Sequence, residues 1–127
     1  MRTLIMAVLL CSAVASARPV RKPIVYEQDG QKFEGVLLYD DRVKTPRPGL
    51  VLVPNWLGIN EANLKQAQQL AGKQYVIFVA DMYGKDGRPK NMPEASKAAG
   101  AVKADRKLMR ARANKALEVL LASGKTA

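Results

Sequence analysis

Histidine is missing from all 127 residues, and cysteine occurs once, at Cys11. Without histidine the chain cannot assemble a nucleophile–His–Asp triad from its own residues. A lone cysteine rules out a disulfide framework, and with no histidine it also rules out a Cys/His zinc site. Acidic residues are scarce too, 11 against 21 basic ones, which leaves a net charge of +10 and a pI near 10.0. That balance favours anionic partners and says nothing about fold. There is no internal repeat, no low-complexity tract and no glycine-rich phosphate loop after a strand-like run. Nucleotide binding therefore has no positive support. The length suits one modest domain.

The amino terminus reads as a secretory signal peptide over residues 1–17. Met1-Arg2-Thr3 is a short positive start, Leu4 to Leu10 is apolar, and Ala15-Ser16-Ala17 offers small residues for cleavage. The apolar part is too short for a stable membrane span. A lipoprotein reading would attach lipid to Cys11, but bulky Leu10 precedes it where a small residue is expected. Cleavage after Ala17 predicts a periplasmic or secreted product with no membrane attachment, and it removes Cys11. Residues 18–23, basic and proline-rich, read as a mobile lead-in. Residues 24–127 read as a single domain.

That domain is organised around Gly49–Asn60. Leu50-Val51-Leu52-Val53 is apolar throughout and bounded by Pro48-Gly49 and Pro54, as in a strand buried on both faces. Upstream, Ile24–Gln28 and Gln31–Tyr39 flank Asp29-Gly30, a strong signal for a two-residue hairpin turn. Asp40–Pro48 reads as a loop. Downstream, Asn60 caps a helix whose Leu64, Ala67, Leu70 and Ala71 share one face, and Gly72 ends it. Tyr75–Ala80 is a second apolar strand, so strand, helix and strand form a parallel βαβ unit. After a loop over 81–92, a short helix starts at Pro93 and breaks at Gly100. A long helix is expected over Val102–Ala122, with Val102, Met109, Ala113, Ala116, Leu117 and Leu120 as its apolar stripe. The fold class is α/β.

Chemistry has three candidate locations. The Asn55-Trp56-Leu57-Gly58 turn closes a strand at its carboxyl end, where backbone N–H groups are available to a developing oxyanion and Trp56 to cover an apolar pocket. The competing reading makes Trp56 a core residue and Gly58 a turn former. Asp81 ends the second strand, either as a catalytic carboxylate or as an acceptor of turn hydrogen bonds. Lys97, Lys103, Arg106, Lys107, Arg110, Arg112 and Lys115 form the densest charge run. They suit phosphates or, more plainly, the solvated face of an amphipathic helix. No aromatic residue is interleaved with them, which argues against nucleic acid.

The hairpin, Trp56-Leu57-Gly58-Ile59-Asn60 and Asp81-Met82-Tyr83-Gly84, in this order and spacing, resemble the dienelactone hydrolase family from about Ile24 onward. The resemblance implies the amino-terminal part of an α/β-hydrolase fold: hairpin, β-α-β unit, long helix, and a mostly parallel sheet lacking its carboxyl-terminal strands. The implied strand order is first hairpin strand, second hairpin strand, Tyr75–Ala80, Leu50–Val53. The implied activity is hydrolysis of small carboxylic esters or lactones without cofactor or metal. A cysteine or serine on a Gly-x-Cys/Ser-x-Gly elbow acts with His and Asp, and two backbone N–H groups hold the oxyanion. The position matching Trp56 supplies one of those donors, with Asn55 and Leu57 beside it. The triad is expected after Ala127, so the 127-residue chain should be inactive. The sequence departs from the family at Asn55, where many members have a glutamate, and at Gly100, where a substrate-gripping arginine would fall. The alternative is a small basic secreted module that grips anionic polymers through its carboxyl-terminal helix.

Overall fold

A computed structural model describes residues 18–127, so the signal-peptide reading over residues 1–17 lies outside the described residues. The elements are β1 (Pro19–Gln28), β2 (Gln31–Asp40), β3 (Gly49–Leu52), α1 (Glu61–Ala71), β4 (Val76–Val79), α2 (Met92–Ala104) and α3 (Arg106–Ala122), with a 3-10 turn at Lys85–Gly87. The sheet runs β1-β2-β4-β3, the order the resemblance implies. Asp29 (φ 51°) and Gly30 (φ 73°) make the hairpin turn, both with positive φ as an Asp-Gly turn requires.

Two of the three strand pairings are antiparallel, and only β3–β4 is parallel. The expected mostly parallel sheet is therefore corrected for the described residues. One βαβ crossover makes a single parallel pair, while the hairpin and its junction with β4 run the other way.

β4 explains why a continuous apolar run reads as a doubly buried strand. Val76 and Phe78 face α2 and α3, in a cluster with Leu37, Ala80, Met82, Val102, Ala116 and Leu120. Ile77 and Val79 face α1, in a cluster with Val36, Leu38, Ala67 and Ala71. Helices thus cover both faces of a central sheet. Gly35 in β2 sits directly under the Phe78 ring.

Four expectations are revised. First, residues 19–23 are not a loose lead-in, because β1 begins at Pro19 and pairs through to Asp40. Asp41 N–H donates to Arg18 O, so even-numbered residues of β1 bond to β2 and odd-numbered ones face away. Pro19 and Pro23 therefore direct their nitrogens to the free edge, where no ladder hydrogen bond is lost. Second, β3 is not buried on both faces. It forms the other edge, and Leu50 is 36% and Val53 52% exposed. Third, the helix break falls at Asp105 rather than Gly100. The Asp105 side chain accepts from Leu108 N–H at 2.9 Å and so caps α3. Gly100 stays inside α2, with nothing near where its Cβ would lie. Fourth, Leu70 and Leu117 are exposed rather than on the buried stripes.

α1 starts as expected. Asn60 Oδ1 accepts from Asn63 N–H, and Asn63 Oδ1 accepts from Asn60 N–H, each at 3.0 Å. This reciprocal pair satisfies two donors that a helix start otherwise leaves open. Gly72 N–H closes the helix on Gln68 O at 3.3 Å, with φ 46°.

Candidate functional site

The Asn55–Gly58 turn lies at the carboxyl end of β3, next to the carboxyl end of β4. Asn55 shapes it from within. Its carbonyl accepts from Gly58 N–H at 2.9 Å, and its Oδ1 accepts from Leu57 N–H at 3.0 Å. Such an Asx turn is local chemistry that asparagine supplies readily. It occupies the Leu57 N–H, whereas no hydrogen bond engages the Trp56 N–H among the described residues.

Two outside contacts hold the turn. The Tyr83 hydroxyl donates to Trp56 O at 2.8 Å, and Asn63 Nδ2 donates to Gly58 O at 2.6 Å. Gly58 has φ 74°, and a Cβ there would meet the Tyr83 ring at 3.3 Å. The positive φ disfavours larger residues here, and a Cβ would also require the Tyr83 ring to give by a few tenths of an ångström. Burial raises the Tyr83 hydroxyl pKa above its ordinary value, so it stays protonated as a donor. Tyr83 belongs to the Asp81-Met82-Tyr83-Gly84 motif, but its clamp on Trp56 is not legible in the sequence. A hydroxyl reaching across 27 positions has no local signature.

Beside the turn opens a cavity of about 570 Å³, lined by Val53, Pro54, Asn55, Trp56, Met82, Tyr83, Ala99, Val102, Lys103, Met109 and Ala113. Its size falls within the range of small-molecule pockets, and its lining is mostly apolar. Trp56 is 39% exposed and stands at this cavity rather than in either core cluster. Asn55 lines the cavity and Leu57 does not, so two of the three expected residues come together there. Lys103 brings the one charged side chain among the cavity-lining residues. Gly100, where a gripping arginine would fall, is not among them.

Asp81 is committed to structure. It is 2% exposed. Oδ1 accepts from Tyr83 N–H at 3.0 Å and Gly84 N–H at 3.1 Å, while Oδ2 accepts from Glu34 N–H at 3.1 Å and pairs with Arg88 at 3.6 Å. With its acceptor sites filled, it serves as the keystone of the turn after β4. Nearby, burial first and the Asp81 carboxylate second push the Tyr26 hydroxyl up to about 12.

The basic run is divided between two helices. Lys97 and Lys103 belong to α2, and the rest to α3. Arg112 is spent internally: it donates to Met82 O and to Gln31 Oε1, and lies 5.2 Å above the Phe33 ring centroid. Lys115 pairs with Glu118 at 3.0 Å. Arg112 and Lys115 are therefore engaged within the fold, while Arg106, Lys107 and Arg110 stay on α3. Among the described residues, no group of three His, Cys, Asp or Glu side chains is placed to hold a metal, and no helix is long and apolar enough to cross a membrane.

Comparison with known proteins places this geometry. Curated proteins return no match. Among solved structures, the protein named m3DLH superposes with a TM-score of 0.78 at 28% identity, covering 86% of this chain and 45% of that one. A dienelactone hydrolase-like promiscuous phosphotriesterase, P91, from metagenomic libraries superposes with a TM-score of 0.78 at 26% identity, covering 88% of this chain and 46% of that one. The chain thus spans less than half the length of these two solved structures. The sequence profile of the dienelactone hydrolase family matches residues 33–126, which include β3, the Trp56 turn, β4 and both carboxyl-terminal helices, and on that match the chain belongs to the dienelactone hydrolase family.

Proposed function

We propose that this chain is the amino-terminal portion of an exported hydrolase of small carboxylic esters or lactones. Its contribution is the Trp56 N–H as one oxyanion donor and the apolar wall of the substrate pocket. The nucleophile, aspartate and histidine belong to sequence following residue 127. The observation that carries this reading is the Trp56 N–H, unengaged in a turn that Asn55, Asn63 and Tyr83 hold rigid, beside a cavity of about 570 Å³. An oxyanion donor acts best when it is fixed in advance and not already bonded.

The edge of β3 supports the same reading. Pro48 O and Leu52 O accept bonds from β4, so Gly49 and Val51 direct their N–H and C=O groups outward. Arg47, of the same parity, already bonds parallel to the last residues. Arg47 N–H donates to Lys125 O at 3.3 Å, and Ala127 N–H donates to Arg47 O at 2.9 Å. A strand continuing from Ala127 would meet Gly49 and then Val51 in register and arrive beside the Trp56 turn. As for export, β1 begins at Pro19, so removal of residues 1–17 leaves every described element whole.

The reading frame after codon 127 is the direct test. A continuing frame with Gly-x-Cys/Ser-x-Gly soon after Ala127 is expected, and a stop codon there overturns the proposal. In the extended protein, Trp56→Ala keeps the backbone N–H and Trp56→Pro removes it. The proline variant should lose about 10²–10³-fold more in kcat than the alanine variant. Equal losses would remove the oxyanion role. Residues 18–127 alone should not hydrolyse p-nitrophenyl esters above the solvent rate.

A further inference from the structure

The Asn55 side chain is used at one end only. Its Oδ1 accepts from Leu57 N–H at 3.0 Å, a bond that only the oxygen of the carboxamide can make, so the sense of the amide is fixed. No hydrogen bond engages Nδ2 among the described residues. A carboxamide is planar, and its nitrogen projects away from its oxygen. The oxygen is lodged on Leu57, which does not line the large cavity, whereas Asn55 lines it together with Trp56 and Tyr83. The amide therefore combines a donor without a partner and an orientation set in advance, the two properties that the Trp56 N–H also has. The other polar groups of the wall differ. The Tyr83 hydroxyl proton is spent on Trp56 O at 2.8 Å, and Lys103 is exposed in the last turn of α2.

We infer, on the hydrolase reading proposed above, that Asn55 Nδ2 is a further oxyanion donor beside the Trp56 N–H. In that reaction the nucleophile's electron pair forms the bond to the carbonyl carbon, and the π pair of C=O moves onto oxygen. Collapse returns that pair and expels the alcohol oxygen, which takes its proton from the histidine. A carbonyl oxygen has two lone pairs, and two backbone N–H donors already meet them. The tetrahedral oxyanion has three. A third donor finds a lone pair only once the charge has formed, so it stabilises the transition state without tightening substrate binding. Glutamate, which many family members carry at this position, supplies acceptors only when ionised, so the donor is a property of this chain.

Asn55→Asp and Asn55→Ser in the extended protein provide the test. Both keep an oxygen that accepts from Leu57 N–H, and neither places a donor where Nδ2 stands at neutral pH. The melting temperature should hold, while kcat for p-nitrophenyl acetate falls about 10²–10³-fold with KM little changed. Serine carries no charge, so equal losses separate the missing donor from repulsion by a new carboxylate. Values of kcat kept within about threefold in both variants, or lost in only one of two folded variants, would overturn the inference. A lower melting temperature in both would also overturn it, leaving Asn55 as a turn former alone. Should one variant fail to fold, the other decides. Trp56→Pro and Trp56→Ala measured alongside keep the two readings apart. If proline costs more than alanine while the Asn55 variants keep kcat, only the Asn55 donor fails. If proline and alanine cost the same, or a stop follows codon 127, the hydrolase reading fails and the donor with it.

Discussion

Replacing Gly35 with alanine should damage the fold more than any surface change, and the structure says by how much. Gly35 lies in β2, opposite Ile24. A Cβ built there would stand 2.8 Å from both Cε1 and Cε2 of Phe78, and nearer still to Cζ. Carbon atoms in contact prefer about 3.5–4.0 Å, so the ring or the strand must move. The ring has nowhere to go. Phe78 is fully buried in the central strand, and Tyr26 packs on it with centroids 5.9 Å apart. Tyr26 is itself stacked on Phe33 at 5.6 Å. Gly35 has no positive φ, so backbone strain adds nothing and the penalty is steric alone. One extra methyl in a filled core costs about 1–3 kcal/mol. At about 4–8 °C per kcal/mol for a small domain, the melting temperature should fall by roughly 4–24 °C. Thermal unfolding followed by far-ultraviolet circular dichroism measures this. The cause is checked by a cycle with Phe78→Leu, which opens room above the new methyl. In that background Gly35→Ala should recover about 1–2 kcal/mol of its cost. A Gly35→Ala melt within about 1 °C of the unmodified chain, or the same cost in both backgrounds, would refute the reasoning.

Asp81→Asn should destabilise the chain by about 1–3 kcal/mol, because its amide turns a donor toward the Glu34 N–H or the Tyr83 and Gly84 N–H pair; chemical denaturation measures it, and an unchanged midpoint would return Asp81 to the list of candidate catalytic groups. The Asp40 carboxyl, held down to about 2 by the Arg42 side chain and backbone, should titrate there by NMR, and Arg42→Ala should return it toward the usual value. Since the folded value is depressed, this pair stabilises the fold above the ordinary carboxylate pKa of about 4, and its contribution is lost as pH falls through about 2. Leu50→Lys places a charge on the exposed β3 edge outside both core clusters, and it should lower self-association measured by sedimentation without lowering the melting temperature. Val51 is the wrong site for that charge, because its side chain packs against the α2–α3 core.

Local rules carried most of the fold. Asp29-Gly30, Asn60 with Asn63, and Gly72 each announce a turn or a cap through chemistry contained within a few residues. The apolar runs located β3 and β4, but only the structure separates the central strand from the edge strand, since both have the same composition. Pro19 and Pro23 read as loop formers because sequence does not reveal which way a strand's nitrogens face. Gly100 resembles a helix break, but Asp105, with a free N–H three positions on, is the stronger helix boundary. At the candidate site, the Asn55–Gly58 turn was visible as a strand end. Its clamping by Tyr83 and Asn63 was not, because those bonds cross between elements. The position of Asp81 at a strand end fits two roles, and its bonds to Tyr83, Gly84, Glu34 and Arg88 select the structural one.

For residues 18–127 by themselves, with no further strand on β3, the two borders of the sheet differ, and that difference shapes how copies would join. On the β1 side, Pro19 and Pro23 put nitrogens without hydrogens where a new strand would need donors. On the β3 side, Gly49 and Val51 offer both donors and acceptors. Growth by strand addition therefore has a polarity: one face of the molecule is receptive and the other is terminated. If two copies meet β3 to β3, each receptive border is consumed and both outer borders are proline-bearing. Each outer border then lacks donors at Pro19 and Pro23, which disfavours further strand addition and propagation into a fibril.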